Sequence, residues 1–137
     1  MIEEILPDLF RIQIPLPRNP LKYVNSYLIR GDNSSLIIDT GMNMDECYAE
    51  MVKALKILDV RLEKTDFFIT HLHADHIGLI DKIAVNSDVY LSKVEAPIAI
   101  EAVENPDYWH NLLDFFKMNG FPENEARKIL SRHTGIR

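Results

Sequence analysis

Four side chains able to hold a metal ion fall within six residues, His71-Leu72-His73-Ala74-Asp75-His76, directly behind the apolar run Phe67-Phe68-Ile69. No other feature restricts the fold of the chain as much. Histidines two apart on an extended segment project to one side, so His71 and His73 can grip one cation together. Imidazole and carboxylate suit zinc, iron or manganese. Asp75 and His76 fall where the chain turns into a helix, so they can face a second cation beside the first. Two metals about 3.5–4 Å apart polarise a substrate oxygen and hold a hydroxide between them. Taken singly, each residue has a plainer reading. Aspartate is a common helix N-cap, and a histidine at a strand end is often only a satisfied polar group. Three histidines and one aspartate in this order, in a strand-to-helix context, favour the metal.

The flanking pattern is consistent with that context. Phe10, Ile12, Ile14 and Leu16 alternate with period two, as in a half-buried strand that ends or lies at an edge by Pro15 and Pro17. Residues 24–30 form a second run, closed by the turn chemistry of Gly31-Asp32-Asn33-Ser34. Leu36-Ile37-Ile38 predicts a short buried strand running into Asp39-Thr40-Gly41. A helix follows, with Asn43 as its cap, Glu46 in the capping-box position, and Cys47, Met51, Val52, Leu55 and Leu58 on one apolar face. Residues 88–91 return as a strand. From about residue 95 the pattern is helical only: Pro97 suits a first turn, and Asn105-Pro106 separates two helices. Trp109, Leu112, Leu113 and Phe116 form a stripe ended by Asn119-Gly120, and Pro122 opens a last helix. His110 lies within the helical stripe and reads as a surface or packing residue. The Tyr108, Trp109, Phe115 and Phe116 cluster reads as a buried helix face.

Composition narrows the partners. The 137 residues are 47% hydrophobic and 26% charged, ordinary for a single globular domain. A net charge of −6 disfavours a nucleic-acid partner. Cys47 is the single cysteine and has no intramolecular partner, which fits a reducing compartment. The acidic start Met1-Ile2-Glu3-Glu4 is unlike a secretory signal, and no apolar run approaches the roughly 20 residues that span a bilayer. A cytoplasmic protein with no membrane partner is expected.

Thr70-His71-Leu72-His73-Ala74-Asp75-His76-Ile77-Gly78 resembles the HxHxDH signature of the metallo-β-lactamase superfamily, and Ile38-Asp39-Thr40-Gly41 resembles the Asp-containing strand end that precedes it. The order of elements from about residue 5 to residue 92 also resembles the first half of that family's αβ/βα sandwich. The resemblance implies an α+β fold, with the N-terminal half of the sandwich over residues 1–94 and a helical insertion over residues 95–137. It implies two divalent metal ions, zinc first and iron or manganese otherwise. His71 and His73 would bind one metal, Asp75 and His76 the second, with Asp75 also taking part in catalysis. Asp39, by itself an ordinary turn residue, would orient a ligand histidine. It further implies hydrolysis of a small-molecule ester, thioester or lactone by a metal-bound hydroxide.

The family pattern continues with further ligands. His133, in His133-Thr134-Gly135, is the candidate for the third histidine, although residues 123–132 read as helix where the family has a strand. The chain is therefore expected to be an N-terminal part that ends before its metal site is complete. Alone it should be inactive, and its uncovered sheet face should favour homo-oligomers. Two other readings stand beside the hydrolase: a non-catalytic, self-associating interaction module, and a di-iron oxidoreductase on the same scaffold.

Overall fold

The structure is a computed structural model and describes residues 1–105 and 107–131. His133 thus lies outside the described residues. Chain contacts divide it into two units, Met1–Ser92 and Lys93–Arg137.

The first unit is built on one mixed sheet. Its elements are β1 (Ile2–Leu6), β2 (Leu9–Pro15), β3 (Tyr23–Arg30), β4 (Ser35–Ile38), α1 (Asp45–Ile57), a 3₁₀ turn at Leu62–Lys64, β5 (Thr65–Phe68), α2 (Ala74–Ile77), α3 (Ile80–Ile83) and β6 (Val89–Tyr90). The six strands lie in sequence order. The first four pair antiparallel, whereas β4, β5 and β6 run parallel. Parallel neighbours need a crossover, and α1 supplies one while α2 and α3 supply the next. Ile38 at the end of β4 therefore pairs with Phe68 at the end of β5. Asp39 and the segment behind Ile69 emerge side by side at the carboxyl ends of adjacent strands, where ligands of open α/β sheets bind.

Period-two alternation decides which face is buried. Phe10, Ile12, Ile14, Leu28, Ile37 and Phe67 turn inward and pack against Cys47, Met51, Ala54, Leu55 and Leu58 of the α1 region and against Leu79 and Ile83. The strand 67–69 is less uniformly buried than its apolar run predicts. Phe67 and Ile69 are fully enclosed, but the pleat sends Phe68 to the other face, where it is 44% exposed. On that second face, register aligns Tyr27, Ile38, Phe68 and Tyr90 in one row and Leu9, Ile29 and Leu36 in the next. Ile29, Phe68 and Tyr90 are exposed.

Three further local features depart from the sequence pattern. The first strand, β1, has no usable alternation, because four of its five residues are exposed at the sheet edge. It is held by pairing with β2 and by an Arg11–Glu3 ion pair. Helix α1 is capped by Met44, in extended conformation and without a side-chain hydrogen bond, so Asn43 and Glu46 make no capping box. Asp45 and Glu46 in its first turn still complement the helix dipole. Val52 falls off the buried stripe, which Ala54 joins instead. A step of 100° per residue carries position 52 away from the face shared by Met51, Leu55 and Leu58.

The second unit is helical: α4 (Ala96–Glu104), α5 (Tyr108–Met118) and α6 (Glu123–Leu130). Pro97 sits in the first turn of α4. Gly120, at φ 85°, takes the left-handed conformation that turns α5 into α6. Leu113, Ala126 and Leu130 form its core, with Trp109, Leu112 and Phe116 packed around them. Phe115 and Met118 remain exposed. No described helix is long and apolar enough to cross a membrane.

Candidate metal centre

The site starts from Asp39. This residue closes β4 with φ at 57°, a left-handed conformation uncommon for a side chain larger than glycine, and it is buried. Such backbone strain persists only where the surroundings hold it. Here the Asp39 N–H donates to the Phe68 carbonyl at 3.0 Å, and its own carbonyl accepts from Ser26 Oγ at 2.7 Å. The carboxylate accepts from the Thr70 N–H at 2.9 Å and lies 2.7 Å from His76 Nδ1. A carboxylate in this position fixes both the orientation and the tautomer of an imidazole.

Behind Ile69 the chain bends rather than extends, and α2 begins at Ala74 with His73 as its N-cap residue. The bend gathers the histidines. The rings of His71 and His73 lie 4.5 Å apart edge to face, and those of His71 and His76 lie 4.0 Å apart. Asp75 Oδ2 is 3.7 Å from His76 Nε2. His71, His73, Asp75, His76 and Asp39 are thus brought into one neighbourhood at the strand ends. His110 is exposed on α5, in the second unit.

In donor chemistry the cluster fits a borderline divalent cation, being three imidazoles and a carboxylate. Its arrangement supplies less: among the described residues, no three His, Cys, Asp or Glu side chains are set to hold one metal ion.

Three supporting residues were not singled out in the sequence. The Thr40 N–H and hydroxyl both donate to the His76 carbonyl, at 2.7 and 2.8 Å, anchoring the end of the motif to the end of β4. Thr70 Oγ1 lies between the Asp39 carboxylate and His71 Nδ1. Ser26, fully buried, is the one buried polar residue at an inward register position of β3, between Val24 and Leu28. That placement on an otherwise apolar face is a signal alternation analysis can detect. The two threonines carry no such pattern. Close packing completes the frame: a Cβ on Gly78 would lie 2.4 Å from the Ala74 carbonyl oxygen and 2.6 Å from the Asn43 nitrogen.

A family model described as the metallo-beta-lactamase superfamily matches residues 19–129. The chain belongs to the metallo-beta-lactamase superfamily. The "Probable metallo-hydrolase YqjP" of Bacillus subtilis (strain 168) is 36% identical over 75 residues, which are 54% of this chain and 23% of that protein. A metallo-beta-lactamase family protein from Thermus thermophilus superposes with a TM-score of 0.73 at 25% identity, over 96% of this chain and 44% of that one. The class B3 di-zinc metallo-beta-lactamase LRA-12, from an Alaskan soil metagenome, shares the fold with a TM-score of 0.59 at 18% identity, over 76% of this chain and 37% of that one. The chain therefore spans about a quarter of the curated relative's length and less than half of either structural neighbour's. Within the superfamily's α+β fold, its six-stranded sheet places Asp39 at the end of β4 and the candidate ligands behind β5.

Proposed function

We propose that this chain supplies part of the metal centre of a metal-dependent hydrolase acting on a small-molecule ester, thioester or lactone. The observation that carries the reading is the gathering of His71, His73 and His76 beside Asp75, with Asp39 hydrogen-bonded to His76. His71 and His73 would hold one divalent cation, and Asp75 and His76 a second. Zinc is the first choice, since the LRA-12 enzyme of the same superfamily is described as di-zinc. When bound, such cations supply Lewis-acid polarisation of a substrate oxygen and a nucleophile at neutral pH. The chain's own residues position the ligands. Asp39 holds His76 through Nδ1, its Nε2 lies 3.7 Å from Asp75 Oδ2, and Thr40 secures the backbone of His76. Asp75, partly exposed beside His76, is the carboxylate proposed to take part in catalysis.

Among the described residues each cation would have two proposed ligands, fewer than the three usual at catalytic zinc sites. The 137 residues alone are thus proposed to bind zinc weakly and to hydrolyse nothing efficiently. Fusing this chain to the part of the Thermus relative that it does not cover, then assaying thioesters and lactones with zinc, tests the reading. Zinc-dependent turnover that His71→Ala abolishes is expected. A zinc-loaded fusion inert toward every ester, thioester and lactone would count against the hydrolase. Efficient turnover by the 137 residues alone, lost in His71→Ala, would refute the need for further ligands.

A self-associating form is the second reading, favoured by the exposed Ile29, Phe68 and Tyr90 on the second sheet face. Pairing that face between two copies would remove apolar surface from water at about 25 cal/mol per Å².

A further inference from the structure

Thr70 Oγ1 stands 2.8 and 3.0 Å from the two oxygens of the Asp39 carboxylate and 3.0 Å from His71 Nδ1. A hydroxyl carries one proton and two lone pairs, and a carboxylate only accepts. These facts decide the direction of the chain of bonds. If the hydroxyl donated to His71, Oγ1 and both carboxylate oxygens would face one another with no proton between them, an arrangement without compensation. If it donates to Asp39, the bond is charge-assisted and its lone pair is free to accept from His71. His71 then carries its proton on Nδ1. His76 carries its own on the same atom, because its Nδ1 lies 2.7 Å from Asp39 Oδ2, which can only accept.

We propose that Thr70 is a positioning residue that sets the tautomer of His71, so that one buried carboxylate orients two histidines: His76 directly and His71 through a hydroxyl. The Thr70 backbone contributes independently, its N–H donating to Asp39 Oδ1 at 2.9 Å, so the residue stays tethered when the hydroxyl is removed. Both rings, with centroids 4.0 Å apart, then present an unprotonated Nε2, the form in which imidazole binds a metal. The tautomer assignment holds without any metal. Only its consequence for metal affinity rests on the hydrolase reading above.

Long-range ¹H–¹⁵N correlation of the histidine rings in the metal-free 137-residue chain, at a pH where they are neutral, reads the tautomers directly. The wild type is expected to show His71 and His76 protonated at Nδ1. Thr70→Val should move His71 toward Nε2 protonation while His76 stays unchanged, which reports within the same sample that the Asp39 contact and the fold survive. Thr70→Ser should restore His71. Zinc competition against a chromophoric chelator should show Thr70→Val weakened about 10–100-fold, the usual loss for a residue that orients a ligand, with Thr70→Ser recovering most of it. Nε2 protonation of His71 in the wild type would overturn the proposal even if Thr70→Val failed to fold. So would a folded Thr70→Val with an unchanged His71 tautomer, whatever its zinc affinity. Tautomers as expected in a wild type that takes up no zinc would uphold the role of Thr70 and overturn the metal reading instead.

Discussion

Asp39 concentrates more of the local order than any other side chain of the first unit. Its carboxylate accepts from Thr70 and His76 while its backbone sits at φ 57°, so two demands meet in one residue. Asn tolerates the left-handed conformation and keeps one acceptor oxygen, whereas Ala keeps neither advantage. Asp39→Ala should therefore cost about 1–3 kcal/mol by leaving buried donors unmatched, and Asp39→Asn less, as read from urea unfolding. Equal stability of Asp39→Ala and wild type would show that the hydrogen bonds contribute nothing net. Gly78 offers a steric test. Its missing Cβ faces three backbone atoms within 3 Å, from Ala74, Asn43 and Gly41, none of which is the flexible end of a side chain. Gly78→Ala should destabilise by about 1–3 kcal/mol through overpacking, measured the same way. At this scale His71, His73, Asp75 and His76 were legible because ligand types crowd into a short span. Thr70 and Thr40 were not, since their roles come from atoms brought together across more than thirty residues of chain.

Helix α1 shows how far periodicity reaches at the scale of an element. Cys47, Met51, Leu55 and Leu58 were readable as one face and are buried, but Val52 is not. Substituting Met51 with Ala should cost about 2–5 kcal/mol, while Val52→Ala should change stability little, and equal losses would contradict the orientation of the helix. The α1 cap was read at Asn43, but an extended Met44 without a side-chain hydrogen bond stands in that place. The edge strand β1 was missed for want of alternation, its place being set by its neighbour β2. Cys47 adds a pH signature. Burial, reinforced by the charge of Glu46, pushes its thiol above the ordinary 9.0. The folded state thus favours the protonated thiol, so its contribution to stability is complete below about pH 9 and is lost as pH rises through the raised value. Unfolding free energy should fall above pH 9, and iodoacetamide should label Cys47 in urea far faster than in the native chain. Rapid labelling of the native thiol would contradict its burial.

For the whole molecule, the order of strands and helices made the α+β class legible, because apolar alternation and helical stripes seldom overlap in this chain. Chain contacts put the boundary between a sheet unit and a helical unit after Ser92, whereas the change to a purely helical pattern was read at about residue 95. What the sequence could not convey is the parallel pairing of β4 with β5, which sets the two halves of the site side by side. The exposed Ile29, Phe68 and Tyr90 of the sheet bear on assembly. If they pair between copies, light scattering at high micromolar concentration should return a dimer mass, and Phe68→Asp should return a monomer. A wild-type monomer at that concentration would end the self-association reading. The central proposal is that His71, His73 and His76 form part of a metal centre, and zinc binding tests it most directly. Calorimetric titration of the 137-residue chain with zinc should show uptake that a mild chelator reverses, as expected for sites with two protein ligands each. The variant with all three histidines replaced by alanine should take up none. Equal uptake by both proteins, or no uptake by the wild type, would contradict the proposal.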